Sequence, residues 1–249
     1  MNILLIEPYF TGSHKSWAEG YKSHSNHTID LLTMKGQFWK WRMHGGAVTL
    51  ANQYLDSNYN PNLIITTDML DLSTFLSLTR RKTALISTAL YFHENQLSYP
   101  WSPTDRDVIE NRNKHYGFIN FTSALSADYV FFNSQYHLDS FTSEATLLLK
   151  HFPDYNEIKS VQIIREKSRV LHLGLDLKRF DAHQSLYDGP PLILWNHRWE
   201  YDKNPELFFE TLFRLNEDGI DFRVAVLGEN FKTTPSIFEI GRASCRERV

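Results

Sequence analysis

Cysteine is all but missing from this 249-residue chain, which holds a single one, Cys245. A lone thiol excludes an intramolecular disulfide and any metal site built from cysteines. No apolar run approaches the roughly 18–20 residues needed to span a bilayer, so no membrane association is expected. Residues 1–8 are too short an apolar run for a secretory leader and lack a basic start, which points to the cytoplasm. Charge of one sign is not in large excess: the net charge of −3 excludes a chain that is basic throughout, leaving only local patches to meet nucleic acid. Three familiar signatures are absent: Gly-x-Gly-x-x-Gly, the Walker A loop and His-Glu-x-x-His. Neither internal repeats nor low-complexity segments occur.

What remains is an ordinary globular balance, 42% hydrophobic and 22% charged, with aromatics high at 14%. Short apolar runs predict strands at 3–6, 28–32, 63–67, 84–88, 129–132 and 169–173. Helical patterns separate most of them, including one with Trp17 and Tyr21 at i and i+4 and a long one over about 104–125. Uniformly apolar strands alternating with helices imply a parallel sheet covered on both faces. The fold class is therefore α/β, with a Rossmann-like domain over 1–176. Residues 177–190 are polar, contain Gly189-Pro190 and read as a linker. A second unit over 191–239 begins with a strand, then a helix over 205–218 with Asn204 to cap it, Pro205 in its first turn and Gly219 to end it, then another strand. One such unit is too small for a doubly wound domain, so this second domain reads as begun and cut off.

Residues 240–249 share no pattern with what precedes them. They read as a translated sequencing-adapter sequence; the alternative is a basic tail. They carry three Arg and one Glu, so the rest of the chain has a net charge of −5.

Five constellations can carry chemistry. Gly12-Ser13-His14 follows the first strand, where a glycine and helix-start amides can approach a phosphate. A plain strand-to-helix turn is the alternative. His93-Glu94-Asn95-Gln96 follows the fourth strand, at the carboxyl edge where open α/β sheets bind ligands. There His93 can donate to a sugar hydroxyl and Glu94 can orient it; a capped surface loop is the alternative. Asn133-Ser134 after the fifth strand can face the same cleft or cap the next helix. Arg198 and Lys203, five apart in a strand-to-helix loop, can both face one anion, or be solvated surface cations. Lys35, Trp39, Lys40, Trp41 and Arg42 alternate cations with rings, which suits stacking on bases and pairing with phosphates. The alternative is a loop packing its tryptophans on the sheet edge.

The runs Glu7-Pro8-Tyr9-Phe10-Thr11-Gly12-Ser13-His14-Lys15, Phe92-His93-Glu94-Asn95-Gln96-Leu97-Ser98-Tyr99-Pro100, Phe132-Asn133-Ser134 and 195–206 together resemble the tRNA-queuosine alpha-mannosyltransferase family, a branch of the GT4-type retaining glycosyltransferases. The resemblance extends from Met1 to about Phe238. It implies a two-domain GT-B fold, GDP-mannose as donor, queuosine in tRNA-Asp as acceptor, and neither metal nor cofactor. It places Arg198 and Lys203 on the donor diphosphate, Gly12, Ser13 and His14 near the donor, and His93 near the reacting sugar. Glu94, Asn95, Gln96, Asn133 and Ser134 would line the cleft. GT4 enzymes carry an acidic Glu-x7-Glu motif in a later part of the second domain. The chain ends before that part of the domain, so as it stands it is expected to be inactive. Other readings are a GT4-like transferase with a glycan or lipid acceptor, a non-catalytic nucleotide- or RNA-binding module, and a sugar-nucleotide epimerase.

Overall fold

A computed structural model describes residues 1–102, 104–183, 189–228 and 235–238. The adapter-like stretch 240–249 lies outside them, as do part of the linker and residues 229–234. The chain divides into two compact units: Met1–Tyr99 with Asp105–Leu175, and Pro100–Thr104 with Asp176–Val249.

The first unit is a six-stranded sheet in the order β2-β1-β3-β4-β5-β6, parallel throughout. Its strands are β1 (Asn2–Phe10), β2 (Thr28–Lys35), β3 (Leu63–Thr67), β4 (Ser87–Phe92), β5 (Tyr129–Phe132) and β6 (Ser168–Val170). The connections carry α1 (Gly12–His24), α2 (Trp39–Asp56), α3 (Leu72–Thr83), α4 (Arg106–Ile109), α5 (Lys114–Ser126), α6 (Gln135–Lys150) and α7 (Ile158–Lys167). Strand β1 shows why both faces must be covered. Successive side chains point to opposite faces. Ile3 and Leu5 pack with Ala18 and Ile29, whereas Leu4 and Ile6 join Leu50, Tyr54 and Phe75 in the larger core. Each such buried side chain contributes about 1.5–3 kcal/mol.

The structure moves several expected boundaries. The fourth strand is Ser87–Phe92, not 84–88, and Leu85 is fully exposed. Ala89, Leu90, Tyr91 and Phe92 supply the buried run, and the shift brings His93 directly after the strand. The first strand continues past Pro8 with a register irregularity between Glu7 and Phe10. The expected long helix is two, α4 and α5, broken where Asn111 takes a left-handed conformation. The sixth strand stops at Val170 rather than 173.

The order β2-β1-β3 reverses direction between β1 and β3. Open α/β sheets bind ligands at the carboxyl ends of the strands flanking such a reversal.

The second unit pairs β7 (Leu192–Asn196) with β8 (Arg223–Leu227), parallel, across α8 (Pro205–Glu217). Trp195, Trp199, Phe209, Leu212 and Phe238 form its own core. Pro205 opens the helix and Gly219, at φ +71°, follows its end. Asn204 occupies the capping position, but at φ 53° its side chain makes no capping bond, contrary to expectation.

Candidate active site at the strand ends

Four residues from the carboxyl ends of β1, β3 and β4 and from the first turn of α1 converge: Glu7, Asp68, His93 and His14. Glu7 is fully buried, which a carboxylate tolerates only when its oxygens are satisfied. One oxygen accepts from the Tyr9 amide at 2.8 Å, the other from His14 Nδ1 at 3.0 Å. Gly12, at φ +50°, turns the chain sharply enough to bring His14 back over its own strand. Burial opposes charge on His14. The hydrogen bond and charge of Glu7 outweigh it, helped by Asp68 and Glu94, and the imidazole rises to about 9. His14 is thus an imidazolium at neutral pH.

His93 is its opposite. Burial lowers it to about 3, and the neighbouring His14 and His137 add to the effect. Its ring centroid lies 4.5 Å from that of His14, 4.7 Å from Trp17 and 5.0 Å from Tyr91. Trp17 stacks in turn on Tyr91 and Tyr21. The His93 amide donates to Asp68 Oδ1 at 2.8 Å, and its carbonyl accepts from Asn133 Nδ2 at 2.9 Å. Among the described residues its buried Nε2 has no hydrogen-bond partner. Burial pushes Asp68 up to about 8, against the pull of His14.

The loop after His93 is held by its own amides. Asn95 Oδ1 accepts from the Leu97 and Ser98 amides, and Gln96 N donates to Asn120 Oδ1 on α5. Asn120 also donates to the Asp68 carbonyl, tying this loop to the end of β3. Gly117 allows the close approach, since a Cβ there would sit 2.6 Å from Leu97 Cδ2. Asn95 and Gln96 are buried, with Gln96 Nε2 donating to Glu94. Ser134 caps α6 by accepting from the His137 amide, and Asn133 bridges His93 and His137. Ser13 is exposed beside His14.

In the second unit, Arg198 and Lys203 do converge, but on a carboxylate of their own chain. Asp202 lies 2.7 Å from Lys203 Nζ and 3.8 Å from Arg198, which also meets Glu200 at 3.1 Å. The loop is braced from below, because Gly228 (φ +128°) leaves room for the His197 carbonyl where any Cβ would clash.

With this geometry in view, a family model described as tRNA-queuosine alpha-mannosyltransferase N-terminal matches residues 2–175. The chain belongs to that family. A tRNA-queuosine alpha-mannosyltransferase of Drosophila melanogaster is 32% identical over 249 residues, covering 96% of this chain and 64% of that protein. The chain thus spans a little under two thirds of that relative's length. Among solved structures, the apo form of a lipopolysaccharide outer core galactosyltransferase, WaaB, aligns with 97% of this chain and 71% of its own at 13% identity and a TM-score of 0.47.

The queuosine-mannosyltransferase family model covers the whole histidine cluster and ends before the Arg198–Lys203 loop. Glu94 is legible in the sequence as a carboxylate of the cleft loop; Asp68 is not, although it follows β3 at the same sheet edge as His93. Trp17, whose ring packs edge-on against His93, carried no chemical signal; its spacing with Tyr21 read only as a helix.

The aromatic and basic segment is not one loop: Lys35 ends β2, and Trp39, Lys40, Trp41 and Arg42 open α2. Lys40 is clasped by Asp105 and Asp107, each at 2.6 Å, and Trp39 packs on Tyr116 at 5.2 Å. Trp41 and Phe38 stay exposed, and Arg42 donates to the Lys35 carbonyl.

Glu7, His14 and His93 each offer one ligand atom, all within 4.8 Å of one another. A metal would have to displace the proton that Glu7 holds on His14, since ligating imidazoles must be neutral. The trio therefore suits a proton better than a metal. Among the described residues no helix is long and apolar enough to cross a membrane.

Proposed function

We propose that this chain is part of a retaining GT-B glycosyltransferase that transfers mannose from GDP-mannose to queuosine in tRNA-Asp, in the cytoplasm and without metal or cofactor. The observation that carries the reading is the pairing, at one sheet edge, of a charged His14 with a neutral His93. A sugar nucleotide presents two kinds of group, anionic phosphate and neutral hydroxyls. The imidazolium of His14, beside the amides opening α1, suits the first. The buried Nε2 of His93 suits the second, because a hydroxyl can complete its hydrogen bonding without ionising it.

Arg198 and Lys203 of the second unit are assigned to the diphosphate, where they stabilise charge growing on the leaving group. In the unliganded loop Asp202 balances them. The acceptor hydroxyl attacks the face from which the diphosphate departs, and no protein nucleophile is required. Glu94 and Asn133 line the acceptor side.

The test uses the protein extended through its full reading frame, with radiolabelled GDP-mannose and tRNA containing queuosine. Transfer that withstands EDTA is expected from the parent. His93→Ala and Arg198→Ala should each lose transfer by about 100-fold or more, as loss of a transition-state hydrogen bond does. Parental turnover in either variant would sink the role assigned to that residue.

A further inference from the structure

The start of α2 holds two large aromatic rings in positions that folding alone does not favour. Phe38 takes φ 52° and ψ 56°, a left-handed conformation that is an outlier for a bulky side chain. Phe38 is 77% exposed, so packing among the described residues does little to compensate the strain. Strain of this kind persists where it serves a site. Trp41 is 62% exposed, yet its ring is held in place. It lies over Gly45, one turn on, where a Cβ would sit 2.4 Å from its Cε2. One face of the indole is thereby seated on the helix and the other is left to solvent. Lys35 and Arg42 flank the two rings, and neither is in an ion pair among the described residues. Gly36 packs against Thr11, with room for no Cβ, so this surface adjoins the turn that carries Gly12 and His14.

We infer that Phe38 and Trp41 form a stacking platform for unpaired bases of RNA, with Lys35 and Arg42 meeting the backbone phosphates. A rigid indole face, a second ring and two cations outside any ion pair among the described residues match the chemistry of single-stranded nucleic acid. This sharpens the expectation for the segment: Trp39 and Lys40 are committed to the fold, and Phe38 takes their place. The inference rests on the reading of the chain as acting on tRNA. It is nevertheless measured by binding, so it stands or fails separately from mannose transfer.

The experiment is fluorescence anisotropy of the 249-residue chain with a labelled single-stranded RNA and with an abasic strand of equal length and charge. Phe38→Gly and Trp41→Ala should each weaken binding of the base-bearing strand about tenfold. Binding of the abasic strand should be weak for the parent and little changed in the variants. Phe38→Gly should also raise Tm, because glycine accepts the left-handed backbone that phenylalanine resists. Parental affinity in both variants would overturn the platform, as would equal binding of abasic and base-bearing strands. A lowered Tm for Phe38→Gly would show that the ring serves the fold instead. A shift of Trp41→Ala from dimer to monomer, without loss of RNA binding, would reassign the surface to self-association.

Discussion

Two of the places where the molecule sets cations beside carboxylates do so under different conditions. Glu7 holds His14 in the interior, where both side chains are nearly inaccessible. Asp202, its own side chain only 3% exposed, holds Arg198 and Lys203, which reach the surface at 45% and 31% exposed. In the first case burial makes the pair interdependent, since removing either member strands the other. In the second, water can replace the partner. The Glu7–His14 pair thus fixes a protonation state, whereas Asp202 only occupies cations that an incoming anion can claim.

The sharpest way to break the comparison is to remove each carboxylate. Glu7→Ala should destabilise the chain by about 3–5 kcal/mol, the range for orphaning a buried charge. His14 should then titrate below its ordinary value, because burial alone lowers it. Urea unfolding and an NMR titration of the imidazole measure the two effects.

Next comes pH. His14 and Asp68 bind protons more tightly when folded, so their contributions are lost as pH rises through about 8–9. His93 and His137, depressed to about 3 and about 4 by burial, contribute stability that is lost as pH falls below their ordinary range. Between pH 4 and 6.5 the two depressed histidines outweigh Asp68, which acts in the opposite sense there. Stability should therefore peak near pH 6.5 and fall by several kcal/mol by pH 9. A flat profile on the alkaline side would mean that Glu7 does not hold the His14 proton.

Asp202→Ala should cost about 1–2 kcal/mol, because the carboxylate is buried while its two cations can turn to water. It should strengthen binding of inorganic pyrophosphate, read by isothermal titration at low salt. Smallest is Gly12→Ala, at about 1 kcal/mol, because space around a Cβ is open and only the positive φ resists.

The α/β class, the alternation of strands and helices and the strand-end position of His93 were legible in the sequence, because buried parallel strands are apolar throughout. Their limits were not. Ala84 to Thr88 looked as strand-like as Ala89 to Phe92, and only pairing with β3 decides between them. The charge states at the site were hidden for a similar reason. His14 and His93 are the same residue type, and their opposite protonation depends on Glu7 and Trp17 meeting them in space. Asp202 stood between Arg198 and Lys203 in plain sight, but sequence spacing alone does not reveal that a carboxylate turns toward its neighbours.

The order of strands has a consequence for how the molecule comes to exist. Glu7, Asp68 and His93 lie toward the carboxyl ends of β1, β3 and β4, parallel strands joined by crossovers rather than hairpins. Such pairings form slowly, since distant segments must meet before any contact rewards them. Leu5 lies opposite Ile65, and Ile65 opposite Ala89; a slip of one residue at either ladder would turn Asp68 or His93 to the other side of the sheet. A misregistered chain could keep much of its helix content and still lack the perturbed imidazoles. The His14 titration near pH 9 is therefore also an assay of correct assembly, readable before any substrate is added.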